Sequence, residues 1–135
     1  MTTIQILTPI KNEVDNLPEL FESVRTQSLQ PSAWMLIDDN SSDGSTDLIK
    51  EFTTEVPWAQ YVSTGISGEY DVSTHYARVL QTGYNSLLDV SDATPEYYMV
   101  LDGDMKLTEG YLAALSSFLD TESEVVIASG PIFVR

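Results

Sequence analysis

Short apolar runs alternate with amphipathic stretches along the whole chain, and this alternation restricts the fold more than any other feature. The apolar runs cover 4–8, 33–37, 58–64, 97–101 and 125–129, and 132–134 begins another. Each is of strand length. Between them, apolar residues recur at spacings of three and four: Leu17, Leu20, Phe21 and Val24 within 16–27; Leu48, Ile49 and Phe52 within 45–54; Val79, Leu80, Tyr84, Leu87 and Leu88 within 75–88; Tyr111, Leu112, Leu115 and Leu119 within 108–119. Those spacings predict helices with one buried face. Strand and helix in strict alternation predict an α/β fold with a mostly parallel sheet and right-handed crossovers. Local signals refine the boundaries. Pro9 is expected to stop the first strand, Asn16 with Glu19 reads as a capping box, and Thr108 is expected to cap the last helix. Gly83 falls inside a helix, where glycine weakens the pattern. Residues 65–73 and 91–95 read as connections.

The strand ends carry the chemistry. The run 97–101 closes in Asp102-Gly103-Asp104. An apolar run without alternation predicts a strand covered on both faces. Its two carboxylates then lie at the carboxyl end, where open α/β sheets place their ligands. Hard oxygen ligands with little positive charge nearby suit Mg²⁺ or Mn²⁺ carrying a phosphate. The plainer alternative is a solvated turn before the next helix. The strand at 33–37 likewise ends in Asp38-Asp39, followed by Asn40-Ser41-Ser42-Asp43-Gly44-Ser45, a loop dense in turn formers. In a parallel sheet the loops after successive strands share one edge. Lys11, Asn12 and Glu13, the 38–42 loop and Asp102 to Asp104 are therefore expected to meet at one crevice.

The 135 residues make one domain, spanning 1–135, large enough for a real core. No apolar run approaches the ~20 residues that cross a bilayer, and Met1-Thr2-Thr3 lacks the basic start of a signal peptide. These features predict a cytoplasmic chain without a transmembrane segment. There are no cysteines, which excludes disulfides and thiolate metal sites. Acidic residues outnumber basic ones 21 to 6, a formal charge of −15. Nucleic acid is excluded as a partner, because binding it requires a basic face. Scattered acids with few lysines suggest a high-salt cytoplasm. An anionic substrate would meet a repulsive field that only a bound cation offsets.

Taken in order, Thr8-Pro9-Ile10-Lys11-Asn12-Glu13, then Leu17, Leu20, Ser23-Val24 and Gln27-Ser28, then Pro31, then Leu36-Ile37-Asp38-Asp39-Asn40-Ser41-Ser42-Asp43-Gly44-Ser45, and finally Leu101-Asp102-Gly103-Asp104 form a pattern. It resembles the N-terminal half of family 2 glycosyltransferases, the inverting enzymes of the GT-A fold. The 38–45 loop is its most specific part; an Asp-x-Asp pair alone serves many metal sites. The resemblance implies a three-layer, Rossmann-like sandwich that binds a nucleoside diphosphate sugar, such as a UDP- or GDP-sugar, with Mg²⁺ or Mn²⁺. It implies that Thr8, Pro9, Lys11, Asn12 and Glu13 lie along the nucleotide. Asp39 matches the position that bonds the base edge, with Asp38 supporting it. Asp102 and Asp104 match the metal motif, Asp104 as direct ligand and Asp102 nearer the ribose or a metal-bound water. The family often carries an arginine in the helix before the metal strand, and His75 or Arg78 stands in that region. Family members usually continue for another hundred residues or so, which carry the acceptor site and the catalytic carboxylate. The general base is accordingly expected beyond Arg135, in a longer protein that can associate with a membrane through its remainder.

Other readings compete. The chain is alternatively a nucleotide-sugar-binding module without catalysis. A metal-dependent phosphoryl- or nucleotidyl-transfer enzyme also uses Asp-x-Asp, but a phosphatase of that kind places its nucleophilic Asp after the first strand, where this chain has Thr8-Pro9. Residue by residue, Asp38 and Asp39 also read as strand-end caps, Asp43 and Asp47 as loop and first-turn residues, His75 as a capping or surface residue, and Trp34 and Trp58 as core. Lys106 reads as solvated, and Glu122 and Glu124 as facing solvent.

Overall fold

A computed structural model of the chain describes residues 2–65, 71–90, 95–122 and 124–125. Its elements are β1 (Ile4–Ile10), α1 (Leu17–Arg25), β2 (Ala33–Asp38), α2 (Ser45–Glu55), β3 (Ala59–Ser63), α3 (Val72–Val90), β4 (Tyr97–Val100) and α4 (Tyr111–Thr121). The strands form one parallel sheet in the order β3-β2-β1-β4. Strand residues alternate between its two faces. Ile4, Ile6, Ile10, Trp34 and Leu36 pack against α1, α2 and α4, whereas Leu7, Met35 and Ile37 pack against Val79 and Leu87 of α3. The result is the expected α/β sandwich of three layers. Residues 126–129 of the last expected strand, 132–134, most of the 65–73 connection and 91–94 lie outside the described residues.

Several boundaries differ from expectation, each for a local reason. Pro9 does not stop β1, which continues to Ile10 with Pro9 in register with Ile37. The carbonyl of Leu7 accepts from Leu101, just after β4, and that of Ile10 from Asp39, so odd positions of β1 turn their backbone toward β4. Pairing with β4 ends at Leu7, and the missing N–H of Pro9 costs no ladder bond. The capping box is not formed. Asn16 has helical backbone angles and makes no side-chain cap; its amide donates to Glu13 Oε2 at 2.7 Å. Helix α4 begins after Gly110, at φ 74°, rather than under a Thr108 cap. Helix α3 starts earlier than expected, at Val72.

Strand β4 is not covered on both faces. Among the described residues it is an edge strand, and Tyr98 and Val100 are 36% and 47% exposed beside α3. Helix α3 lies over β1 and β2, and Tyr84 reaches out to Tyr98, its ring edge to face at 5.1 Å.

Gly83 has a structural use. A Cβ there would fall 2.2 Å from Ile37 Cδ1 and 2.6 Å from Cγ1, so the glycine lets α3 sit against β2. Alanine gains about 1 kcal/mol of helix propensity, but overpacking costs about 1–3 kcal/mol. Gly83→Ala is therefore expected to lower the urea midpoint, and Gly83→Val to lower it further; a higher midpoint for alanine would mean that Ile37 yields freely.

Candidate functional site

Side-chain alternation sorts the strand-end residues. Odd positions of β1 and β2 face α3, so Pro9 and Asp39 turn to that side, while Thr8 and Asp38 turn to the other. On the far side Thr8 is fully buried and its hydroxyl accepts the indole N–H of Trp34 at 2.8 Å. Asp38 is also buried; its Oδ1 accepts the amide of Ser41 at 3.1 Å and its Oδ2 the hydroxyl of Thr46. Both residues thus serve the sheet–helix junction beneath the crevice.

On the α3 side a cleft of about 310 Å³ opens at the carboxyl edge, lined by Pro9, Ile10, Lys11, Glu13, Asp39, Val72, His75, Tyr76, Val79 and Asp102 to Asp104. Asp39 is 5% exposed, and its carboxylate is held at both oxygens. Thr64 donates to Oδ1 at 2.9 Å, and His75 Nε2 meets Oδ2 at 2.5 Å. A carboxylate only accepts, so Nε2 carries the proton between them. The Asp39 amide donates to Ile10 O at 2.8 Å, and Lys11 Nζ donates to the Asp39 carbonyl at 3.1 Å. This buried acid therefore has a fixed orientation.

The loop after β1 is stitched to the loop after β2. Asn12, at φ 53°, donates its amide to Ser41 Oγ at 3.0 Å and accepts from the Ser42 amide at 2.7 Å. The Glu13 amide donates to Ser45 Oγ at 2.9 Å, and the Val14 amide to Asp43 Oδ2 at 3.1 Å. Asp43 Oδ1 accepts the Ser45 hydroxyl at 2.6 Å and its amide at 3.0 Å. The Ser45 hydroxyl holds the Asp43 carboxyl below its ordinary 3.8; burial opposes it, and the Val14, Ser45 and Asp43 amides add to the lowering. A lowered folded-state pKa stabilises the fold above the unfolded value and is lost as pH falls through the folded one. Asp43→Asn is therefore expected to melt earlier than the parent at pH 7, with the gap closing toward pH 3. An equal gap at both pH values would remove the carboxylate from the account.

At the third strand end Gly103 is pressed against the β1 loop. A Cβ there would lie 3.1 Å from Glu13 Cγ and 3.4 Å from the Pro9 carbonyl. Asp102 is partly buried, and its Oδ1 accepts the hydroxyl of Tyr76 at 2.9 Å. Burial and the neighbouring Asp102 push the Tyr76 phenol up to about 12, so it remains a donor at any working pH. Asp104 is exposed at the same turn. The chain beyond the turn is latched to α1: Ser23 Oγ accepts the Leu107 amide at 3.0 Å, Gln27 Nε2 donates to Thr108 O at 2.8 Å, and Gln27 Oε1 accepts the Leu112 amide at 3.0 Å.

The fold thus brings Pro9, Lys11, Glu13, Asp39, His75, Asp102 and Asp104 to one cleft. It commits Asn12 to the loop stitching and Thr8 and Asp38 to the packing below. Arg78 is exposed on α3 and does not line the cleft. Tyr76 and Thr64 were missed by residue-type reasoning. The signal available for Tyr76 was its place beside His75; Thr64, like Asp39, directly follows a strand at the same sheet edge. Lys106 approaches Glu19 at 3.7 Å with both side chains at least half exposed, and Glu122 and Glu124 are exposed away from the cleft.

The sequence matches a family model, that of glycosyl transferase family 2, over residues 5–134. The chain belongs to glycosyl transferase family 2. No curated protein sequence matches it, but solved structures share its fold. Residues 1–349 of S. aureus TarS in complex with UDP superimpose with a TM-score of 0.67 at 16% identity, over 90% of this chain and 33% of that one. The mannosyltransferase PcManGT from Pyrobaculum calidifontis, in complex with GDP-Man and Mn²⁺, gives 0.58 at 19% identity over 82% and 30%. Glucosyl-3-phosphoglycerate synthase from Mycobacterium tuberculosis, in complex with Mn²⁺, UDP and glucosyl-3-phosphoglycerate, gives 0.54 at 14% identity over 84% and 37%. This family 2 chain spans about a third of the length of these structures.

The donor set of this family 2 cleft fits a divalent ion that arrives with phosphates. Asp102 and Asp104 offer hard carboxylate oxygens on one turn, and among the described residues no group of three or more acids and histidines could hold a metal alone. Mg²⁺ and Mn²⁺ sites of that kind take one or two carboxylates and complete their shell with substrate phosphates and water.

Proposed function

We propose that this chain forms the donor site of a metal-dependent inverting glycosyltransferase, which transfers a sugar from a nucleoside diphosphate sugar to an acceptor hydroxyl. The observation that carries this reading is the meeting of a fixed, buried carboxylate (Asp39) and an Asp102-Gly103-Asp104 turn across one cleft at the carboxyl edge of the sheet. Neighbours in fold are complexed with UDP, UDP-GlcNAc and GDP-Man, which favours a UDP- or GDP-sugar as donor. Two of them hold Mn²⁺.

In this reading Asp39 accepts an N–H from the base edge, in an orientation set by His75 and Thr64. Pro9, Lys11 and Glu13 line the nucleotide, and Lys11 supplies positive charge at the rim. Asp102 takes the ribose or a metal-bound water, and Asp104 binds the metal directly. The metal, when bound, stabilises negative charge on the departing nucleoside diphosphate as a Lewis acid. A carboxylate must take the acceptor's proton. By the family resemblance, we assign that role to a residue beyond Arg135; Glu122 and Glu124 do not line the cleft. No helix among the described residues is long and apolar enough to cross a membrane. We place the chain in the cytoplasm, with any membrane association supplied by the remainder, and its −15 charge is consistent with a high-salt interior.

Calorimetric titration of the chain with UDP and GDP, with and without Mn²⁺, tests the reading. One nucleotide is expected to bind at least ~10-fold more tightly with the metal, the scale of a metal–phosphate contact added to a carboxylate site. A folded sample that binds neither would sink it.

A further inference from the structure

Helix α3 contributes two consecutive residues to the cleft, and they grip acids from two different strands. His75 bonds Asp39 beyond β2, and Tyr76 bonds Asp102 beyond β4. Strand β1 lies between those two strands, so the start of α3 bridges the crevice. The His75 contact is buried. The Tyr76 contact is more open: the residue is 42% exposed, yet its hydroxyl is directed at one named carboxylate oxygen.

A partly buried aspartate on a turn still has several rotamers open to it. A bond from a neutral donor removes that freedom without removing the charge. It also divides the two oxygens, because Oδ1 accepts from Tyr76 while Oδ2 has no side-chain partner among the described residues. Carboxylates around metals are commonly oriented by such hydrogen bonds, and losing the partner typically costs ~10–100-fold in metal affinity.

We propose that Tyr76 is a positioning residue for Asp102, fixing that carboxylate so that its second oxygen serves the metal-bound nucleoside diphosphate. The proposal rests on the donor-site reading above. Tyr76 acts through Asp102, and His75, anchored on Asp39, holds the helix start from which Tyr76 reaches across. In a cleft with few cations of its own, this arrangement leaves the metal's affinity dependent on a residue that never touches it.

The test is Tyr76→Phe in the full chain, which keeps the ring and removes only the hydroxyl. UDP and GDP dissociation constants are measured with and without Mn²⁺ for parent and variant, and Mn²⁺ occupancy is followed independently by electron paramagnetic resonance. The expected result is a Mn²⁺-supported gain in nucleotide affinity reduced by ~10-fold or more, with metal-free affinity and melting temperature unchanged. A variant that keeps the full gain would overturn the proposal while leaving the donor site standing. A variant that loses metal-free and metal-supported binding alike would also overturn it, since the hydroxyl would then serve the nucleotide or the fold. If the parent shows no Mn²⁺-supported binding, the donor-site reading fails and takes this proposal with it.

Discussion

Asp104→Ala is expected to abolish the manganese-dependent part of nucleoside diphosphate binding while leaving the protein's stability within ~0.5 kcal/mol of the parent, as for exposed positions in general. Asp104 is exposed on the turn after β4, so its removal opens no cavity. In the proposed reading it is also the carboxylate of the Asp-Gly-Asp turn that binds the metal directly, so its loss removes the protein's direct ligand. The loss should equal the whole Mn²⁺-supported gain, ~10-fold or more, at least about 1.4 kcal/mol, and should fall on that component alone. Asp39 and its partners remain, so the weak metal-free binding should survive. Calorimetry in the two conditions, together with a urea melt, separates these effects. Unchanged Mn²⁺-supported binding would remove Asp104 from the metal site, and a large drop in stability would reassign it to the fold.

The second large effect lies in the core. Trp34→Ala is expected to destabilise the chain by about 4 kcal/mol, from the range seen when buried large aromatics are truncated. Trp34 is fully buried in β2. Its ring meets Phe21 and Phe52 edge to face at 6.0 and 5.6 Å, and stacks on Trp58 at 6.4 Å. It joins two helices of one layer to the sheet, and its N–H occupies the Thr8 hydroxyl. Against a typical net stability of about 5–15 kcal/mol, truncation brings such a domain close to unfolding. Trp34→Phe should cost less but leave Thr8 unpaired, and adding Thr8→Val should recover part of that cost. A urea-denaturation cycle of the four proteins measures the coupling. Additive costs would mean that the Thr8–Trp34 bond contributes nothing of its own.

The legibility of this chain in its sequence was uneven, and the reason is physical. Apolar periodicity reported which segments are buried, so the element order and the parallel sheet followed from it. The meeting of the strand-end loops followed from parallel topology. What single-residue patterns did not report were choices made by tertiary neighbours. Pro9 reads as a strand breaker, yet its N–H would have pointed past the end of β4 and cost nothing. Asn16 and Glu19 have the spacing of a capping box, but Glu13 captured the asparagine amide. The run 97–101 carries no alternation, yet α3 leaves one face of β4 half open. Gly83 looked like a weakness and is a contact surface. At the site, acid residues were visible as types, but Thr8 and Asp38 could be told from Pro9 and Asp39 only by parity within the sheet. Tyr76 could be assigned only once α3 was seen to cross the cleft.

The order of strands has a consequence for how the cleft is assembled in time. Strands β1 and β2 close a short loop, Ser32 meeting Ile4 across 28 residues. Strand β4 returns to β1 only after a far longer excursion, Glu96 meeting Thr3 across 93. Closing the longer loop costs about 1 kcal/mol more in chain entropy, by logarithmic scaling. The β1–β2–β3 half, with Asp39 at its rim, is thus expected to condense first, and the Asp102 turn to dock onto it afterwards and to detach from it first. Hydrogen exchange should show it: the amides of Tyr97 and Leu101, which bond to Thr3 and Leu7, should exchange ahead of that of Asp39. Equal protection would mean that both halves open together. In unequal opening, the half of the cleft that carries the Asp-Gly-Asp turn is the later and looser partner, and a bound nucleoside diphosphate would act as the tie between them.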